Sequence, residues 1–152
     1  MSVDFYVAVP VDQWPTAAEI EQCASREGYP IKIKQFPVFD TGRVVTDGAM
    51  VALDGTEAYL EGQLSTATLS GEDVSVINAR LAAAGSAFRI TDGHALMSVR
   101  VRSQVEMRAT SYVIAGLVVC FGGYGFEPQG NAHGRADFAK SLLDGADLLK
   151  GM

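Results

Sequence analysis

An uninterrupted apolar run from Tyr112 to Phe121 constrains the fold of this chain more than any other segment. Its ten residues are about half of the roughly 20 that a helix needs to cross a bilayer, so the run does not predict a membrane anchor. A helix-start signal lies upstream, where Ser103 precedes Glu106 by three positions, whereas the β-branched residues of the run favour a strand. From Ser111 onward apolar residues cover almost every side of a helix, which is typical of a central buried helix. We predict a buried helix, with a strand as the alternative.

Two glycines, Gly122 and Gly123, follow this run and bear on whether the segment binds phosphate. Glycine often ends a helix because it adopts the left-handed conformation without a Cβ clash. A phosphate loop has the reverse order, in which a strand comes first, the glycines follow, and a helix then begins. The stretch FGGYGFEPQG also lacks the Lys-Ser/Thr pair of such loops. The glycines therefore predict a helix end, and no cofactor is expected.

Length and composition indicate one ordered domain that spans residues 1–152. A chain of 152 residues buries enough apolar surface to fold as a single unit, and 48% hydrophobic with 20% charged residues is ordinary for a globular protein. Cys23 and Cys120 lie 97 positions apart and neither has a Gly, a His or another Cys beside it, so we predict buried free thiols. The N-terminal stretch has no basic segment and no apolar run of signal-peptide length, which predicts a cytoplasmic protein of bacterial type.

Helix starts are marked by three capping boxes, in which a Ser or Thr precedes an acid by three positions. The pairs are Thr16 with Glu19, Ser70 with Asp73, and Ser103 with Glu106. Glycine after the first two apolar patterns predicts helices near 16–27 and 71–84. A terminal helix is predicted after Arg135, ended or interrupted near Gly145.

Alternating apolar and polar residues predict strands at VDFYVAVP and at IKIKQF. Two Asp-Gly pairs flanked by strand-forming residues predict hairpins, one turning at Asp54 and Gly55 and the other at Asp92 and Gly93. The order of these elements predicts the α+β class, with a mostly antiparallel sheet and helices packed on one face in a single-domain sandwich.

Charge is divided unevenly along the chain, whose net charge is −6. Residues 1–73 carry 12 acids and 4 bases, whereas residues 74–152 carry 6 acids and 8 bases. An acidic surface repels nucleic-acid phosphates and attracts basic partners, so the first half predicts a protein-binding surface and no nucleic-acid interface. The predicted partner-binding residues are Asp54, Glu57 and Glu61. A solvated acidic surface that only aids solubility is the alternative.

Two histidines, His94 and His133, can act as general bases near neutral pH, although histidines in surface loops more often have no catalytic role. A nucleophile pair of Cys120 and His133 is disfavoured, because a thiolate inside an apolar helix would be desolvated. Neither histidine has a second ligand at a metal-binding spacing, so no metal site is predicted.

A different function would follow if the Asp92-Gly93-His94 turn came close to Arg100 and Glu127 in the fold. In that case the chain would be a small enzyme or ligand-binding domain. The catalytic residues would be His94, Arg100 and Glu127. Nearby arginines would form a positive strip for a carboxylate or phosphate if they shared a sheet face. These arginines are Arg89, Arg100 and Arg102. The alternative to a free positive strip is that they pair with acids of the first half, such as Glu57 and Glu61.

Residues 109–149, ATSYVIAGLVVCFGGYGFEPQGNAHGRADFAKSLLDGADLL, resemble the C-terminal part of small acidic bacterial cytoplasmic proteins. In these an Ala-rich helix ends in Gly-Gly, a short strand carries an acid, Pro and Gln, and a last helix follows. Some of them are similar to immunity proteins that neutralise toxins. The resemblance carries over no active site. Together with the acidic first half and the absence of a catalytic motif, it leads us to predict a non-catalytic immunity or antitoxin protein with a basic toxin domain as partner. No membrane partner is predicted, and a homodimer formed through a sheet edge is a further possibility.

Overall fold

The computed structural model describes residues 2–151, and within them four helices pack on an antiparallel sheet of seven strands. The strands are β1 (Val3–Pro10), β2 (Ile31–Gln35), β3 (Ala49–Leu53), β4 (Thr56–Ser65), β5 (His94–Val101), β6 (Tyr124–Glu127) and β7 (Ala132–Gly134). The helices are α1 (Ala17–Glu27), α2 (Gly71–Ala83), α3 (Gln104–Phe121) and α4 (Ala136–Lys150). The predicted α+β class and the mostly antiparallel sheet are confirmed.

The apolar run forms a helix, as predicted, and this helix is the centre of the core. α3 begins where the hydroxyl of Ser103 accepts the N–H of Glu106 at 3.2 Å, and it ends at Gly122, whose φ of 72° is left-handed. Side chains in its middle turns, such as Ile114 and Leu117, are completely buried. No helix in the described part of the chain has the length and apolarity to span a bilayer.

The strands are ordered β2-β3-β4-β5-β1-β6-β7, so β1 lies inside the sheet between β5 and β6. The hairpin of β3 and β4 turns at Asp54 and Gly55, with φ angles of 50° and 84°. Two consecutive residues of positive φ are the geometry for which Asp-Gly is selected in two-residue hairpins. The predicted hairpin at this turn is confirmed.

The two faces of the sheet are covered unequally. Alternate residues of β1, Phe5, Val7 and Val9, face a large core with α1, α3 and α4. On the opposite face Ala8 belongs to a smaller core that includes residues of α2, such as Leu81. Three helices therefore pack on one face, while α2 covers part of the other. We call this second face the outer face.

α1 covers part of the free edge of β2, the side of this strand that has no neighbouring strand. The carboxylate of Glu21 accepts the backbone N–H of Ile33 at 2.5 Å and lies 3.7 Å from the amine of Lys32. An edge strand with free amides can pair with another chain, and charged side chains oppose such pairing. This contact disfavours a homodimer through the β2 edge.

The predicted hairpin at Asp92 and Gly93 is wrong in its first half, because the segment before the turn forms no strand. β5 already pairs with β4 on one side and with β1 on the other, so it has no free edge for a third strand. The segment is held by α2 instead. The side-chain amide of Asn78 accepts the N–H of Ile90 at 2.8 Å and donates to its carbonyl oxygen at 3.1 Å.

Two details of the predicted helices also differ. The hydroxyl of Ser70 makes no capping bond to α2 and instead lies 2.5 Å from the hydroxyl of Ser65. α4 runs through Gly145 to Lys150, because Gly145 does not have positive φ and the buried Ala146 continues the apolar stripe.

The prediction of free thiols is wrong, because Cys23 and Cys120 form a disulfide that joins α1 to α3. Gly116 explains how the helices approach closely enough. A methyl group at Gly116 would lie 3.3 Å from a side-chain carbon of Ile20 and 3.4 Å from the sulfur of Cys23. The absence of a side chain there brings the two cysteine Cα atoms to 6.3 Å, within the usual range for a disulfide.

Candidate functional site

Three neighbouring strands, β4, β5 and β1, present polar side chains on the outer face of the sheet. The strand register places Asp4, Arg100 and Glu61 side by side in one row. Their chain neighbours, such as Phe5 and Val99, point into the large core, so these polar side chains point the other way.

A groove of about 340 Å³ crosses these strands and reaches the first turn of α2. We call it the acidic groove. Its lining includes Asp4, Tyr6, Glu61, Gln63, Asp73, Ser98 and Arg100. Three carboxylates and one guanidinium therefore line the groove. The charges affect Tyr6, whose pKa is raised first by burial and further by Asp73 and Asp4, while Arg100 opposes the shift.

The arginines of this region pair with acids of the first half and do not form a free positive strip. Arg100 donates to Asp4 at 3.1 Å, and Arg102 pairs with Glu61. The hydrogen bond from Arg102, with its charge, lowers the pKa of the Glu61 carboxyl. Arg89 lies outside the sheet and donates to the carbonyl oxygen of Phe88 at 2.6 Å. The alternative of arginine pairing with Glu61 is confirmed, and the strip is not formed.

The three residues predicted to bind a partner lie on one hairpin. Asp54 is at its turn, where its carboxylate is 3.6 Å from the guanidinium of Arg108. Glu57 and Glu61 are exposed on β4, four positions apart and therefore on the same face. Arg108 has only 11% of its side chain exposed.

The structure does not bring together the three residues of the predicted enzyme site. His94 and Arg100 are near opposite ends of β5, and six residues of antiparallel strand span about 20 Å. Glu127 has a local role, because its carboxylate accepts the N–H groups of Gln129 and Gly130 in the turn after β6. Catalysis by these three side chains at one point is therefore not supported by the fold.

Both histidines instead join an arrangement of rings on the outer face, which we call the aromatic cluster. It consists of Phe88, His94, Tyr124 and His133. The rings of Phe88 and Tyr124 are stacked with centroids 4.1 Å apart. The hydroxyl of Tyr124 lies 2.7 Å from Nδ1 of His133 and 2.9 Å from the hydroxyl of Ser86. The guanidinium of Arg135 is 5.4 Å from both stacked rings.

The aromatic cluster packs the segment between α2 and β5 against the sheet. Sequence reasoning missed it because Phe88 reaches Tyr124 only through the sheet order, which no local pattern encodes. The one available signal was the pair of ring side chains, Phe88 and His94, on the two sides of the Asp92 turn. In residues 2–151 no three His, Cys, Asp or Glu side chains are grouped so that they could hold a metal ion.

His94 makes the stability of this cluster depend on pH. Burial lowers the pKa of His94, and the charge of Arg135 adds to the shift. Nδ1 accepts the N–H of Thr91 at 3.0 Å, and this bond also favours the neutral ring in the folded state. Because the folded pKa lies below the unfolded value, the folded state binds a proton more weakly.

We therefore expect full stability above the unfolded pKa of about 6.5 and a loss as the pH falls through the lower folded pKa. Urea denaturation at pH 7.5 and pH 5.0 measures this loss. His94→Gln keeps a polar side chain that does not titrate, so its stability should fall less between the two pH values. Equal losses in both proteins would contradict the assignment.

Comparison with known protein families, with curated protein sequences and with solved structures gives no match for this chain.

Proposed function

We propose that this chain is a non-catalytic protein-interaction module that binds a basic partner protein through the acidic groove, as an immunity protein binds a toxin domain. The observation that carries the proposal is the row of Asp4, Arg100 and Glu61 on an uncovered part of the sheet, with Asp73 of α2 beside it. These groups form an open, negatively charged surface.

The form of this surface suits a protein partner. The groove is lined mainly by polar side chains, whereas small-molecule sites are lined mainly by apolar and aromatic ones. Glu57 and Tyr59 extend it along β4, with Tyr59 exposed over 44% of its surface. Exposed tyrosines are enriched in protein interfaces because they combine a large apolar ring with a polar end.

The ion pairs of the acidic groove are weak enough for charged side chains of a partner to replace them. Glu61 and Arg102 are both about half exposed, and a surface pair of this kind adds little to stability because water screens it. A partner arginine or lysine can therefore compete for Glu61 at low cost. Acids on one face also speed the encounter with a basic protein, an effect that salt weakens.

The experiment compares three forms of the protein as bait in extracts of the native cells. The groove variant carries Glu57→Lys and Glu61→Lys, while the control, Asp12→Lys, changes an exposed acid beyond the opposite end of β1. We expect the wild type and the control to retain one basic protein, which the groove variant loses by tenfold or more. Circular dichroism should show that all three forms are folded.

Two results would contradict the proposal. One is that the wild-type bait retains no specific protein. The other is that the retained protein binds the groove variant as well as it binds the control, which would place the interface elsewhere on the molecule.

A further inference from the structure

We propose that Cys120 and Cys23 form a peroxide-reactive thiol pair, in which a hydroperoxide oxidises Cys120 and Cys23 then closes the disulfide. This site is separate from the acidic groove, and the proposal does not depend on the proposed function. It rests on the unequal surroundings of the two sulfur atoms.

Cys23 has the surroundings of a resolving cysteine. It is 1% exposed on the side of α1 that packs against α3, and its sulfur lies 3.6 Å from the carbonyl oxygen of Gly116. A carbonyl oxygen and apolar neighbours disfavour a thiolate, so Cys23 is protected from direct attack by an oxidant in solution.

Cys120 has the surroundings of a reactive cysteine. It lies in the last turn of α3, where it is partly exposed next to Val119, which is 48% exposed. Nη2 of Arg26 donates to its sulfur at 3.2 Å. A guanidinium at this distance stabilises a thiolate, and accessible thiolates beside a second cysteine are typical of redox-sensing pairs.

Arg26 is the decisive group, because the position of Cys120 in its helix acts in the opposite direction. The C-terminal end of a helix carries partial negative charge and disfavours a thiolate. Arg26 is only weakly neutralised by Glu27, whose carboxylate lies 3.9 Å from its Nε. Removing the guanidinium should therefore make Cys120 a slow nucleophile.

The reaction takes place in two balanced steps. The Cys120 thiolate attacks the terminal oxygen of a hydroperoxide, the S–O bond forms, the O–O bond breaks, and the leaving alkoxide takes a proton from water. The sulfur is thereby oxidised to a sulfenic acid, and the peroxide is reduced to an alcohol, or to water when it is hydrogen peroxide. Cys23 then attacks the Cys120 sulfur, the S–S bond forms, and the hydroxide leaves as water with the proton of Cys23.

The second step needs little movement of the chain. The Cα atoms of the two cysteines are 6.3 Å apart, and the close packing of Gly116 against α1 holds the helices at this separation. In a reducing compartment such as the cytoplasm the pair would rest as two thiols. The disulfide would then mark the oxidised state of the protein.

The test starts from protein reduced with dithiothreitol and desalted, with hydrogen peroxide as the oxidant and intact mass as the readout. We expect loss of two hydrogens in the wild type. In the Cys23→Ser variant, dimedone should label Cys120, whereas in the Cys120→Ser variant Cys23 should stay unlabelled.

Arg26→Gln should slow disulfide formation at pH 7 by roughly fivefold. Its matched control is Arg43→Gln, which removes an arginine of similar exposure that pairs with Asp40 instead. The proposal is overturned if Cys23 is labelled as readily as Cys120, or if the two arginine variants are oxidised at the same rate.

A second measurement does not depend on the Arg26→Gln variant, which could slow oxidation by destabilising α1. The rate of iodoacetamide labelling of Cys120 is followed against pH in the Cys23→Ser variant. A midpoint clearly below the value of about 8.5 for a free cysteine supports the proposal, and a midpoint at or above that value overturns it.

Discussion

Gly62→Ala is expected to lower the free energy of unfolding by about 3 kcal/mol or more, because a methyl group does not fit between β4 and β5 at this position. An added Cβ would lie 1.9 Å from the carbonyl oxygen of Ser98 and 3.2 Å from the Cα of Val99. Both are backbone atoms, so no change of side-chain rotamer relieves the contact. β5 also cannot move away, since it pairs with β1 on its other side.

Urea denaturation followed by circular dichroism measures this loss. The matched control is Gly145→Ala, which adds the same methyl group inside α4, where nothing lies within 4 Å of the added atom. Alanine is the better helix former, so the control should raise the stability by about 0.5–1 kcal/mol. A Gly62→Ala protein as stable as the wild type would show that the strand register of β4 and β5 differs from the one described.

Loss of the disulfide is the second change for which we expect a large effect. Cys23 and Cys120 are separated by 97 positions, and a link across so long a loop restricts the unfolded chain strongly. Replacing both cysteines with alanine should lower the free energy of unfolding of the oxidised protein by about 2–5 kcal/mol.

Denaturation curves of the oxidised protein, the reduced wild type and the double variant measure the effect. The reduced wild type and the double variant should unfold at similar urea concentrations, because both lack the link. If the oxidised and reduced wild types unfold at the same midpoint, the disulfide contributes nothing to the stability of this fold.

Local signals in the sequence were sufficient for several elements. The capping box at Thr16 and the left-handed Gly28 define α1, and both are present in the structure. The Asp-Gly pair at Asp54 places the β3–β4 hairpin correctly. Each of these features depends on contacts between residues a few positions apart, and such contacts are encoded in short stretches of chain.

Features that depend on distant contacts were not predictable from the same patterns. The segment before Asp92 has the composition of a strand, but the sheet order leaves it no partner. The amphipathic pattern of α2 shows that one side is buried without showing which sheet face covers it. The disulfide follows from the approach of α1 to α3 at Gly116, which is set by tertiary packing.

The candidate site shows the same division. Charge counting indicated an acidic first half, and Glu61 does line the groove. Asp4 and Tyr6 were missed because they reach Glu61 only through the pairing of β1 with β5 and of β5 with β4. Such pairing between distant segments is not specified by the alternation within each strand.

The two hydrogen bonds between Asn78 and Ile90 also determine which parts of the native protein unfold locally together. They supply the segment before β5 with the two hydrogen bonds that a neighbouring strand would otherwise provide. When α2 unfolds, Ile90 loses both bonds at once, so the helix and this segment form one cooperative opening unit. The backbone amide of Ile90 should then exchange with solvent deuterium at the rate of the amides in α2, although it belongs to no helix or strand.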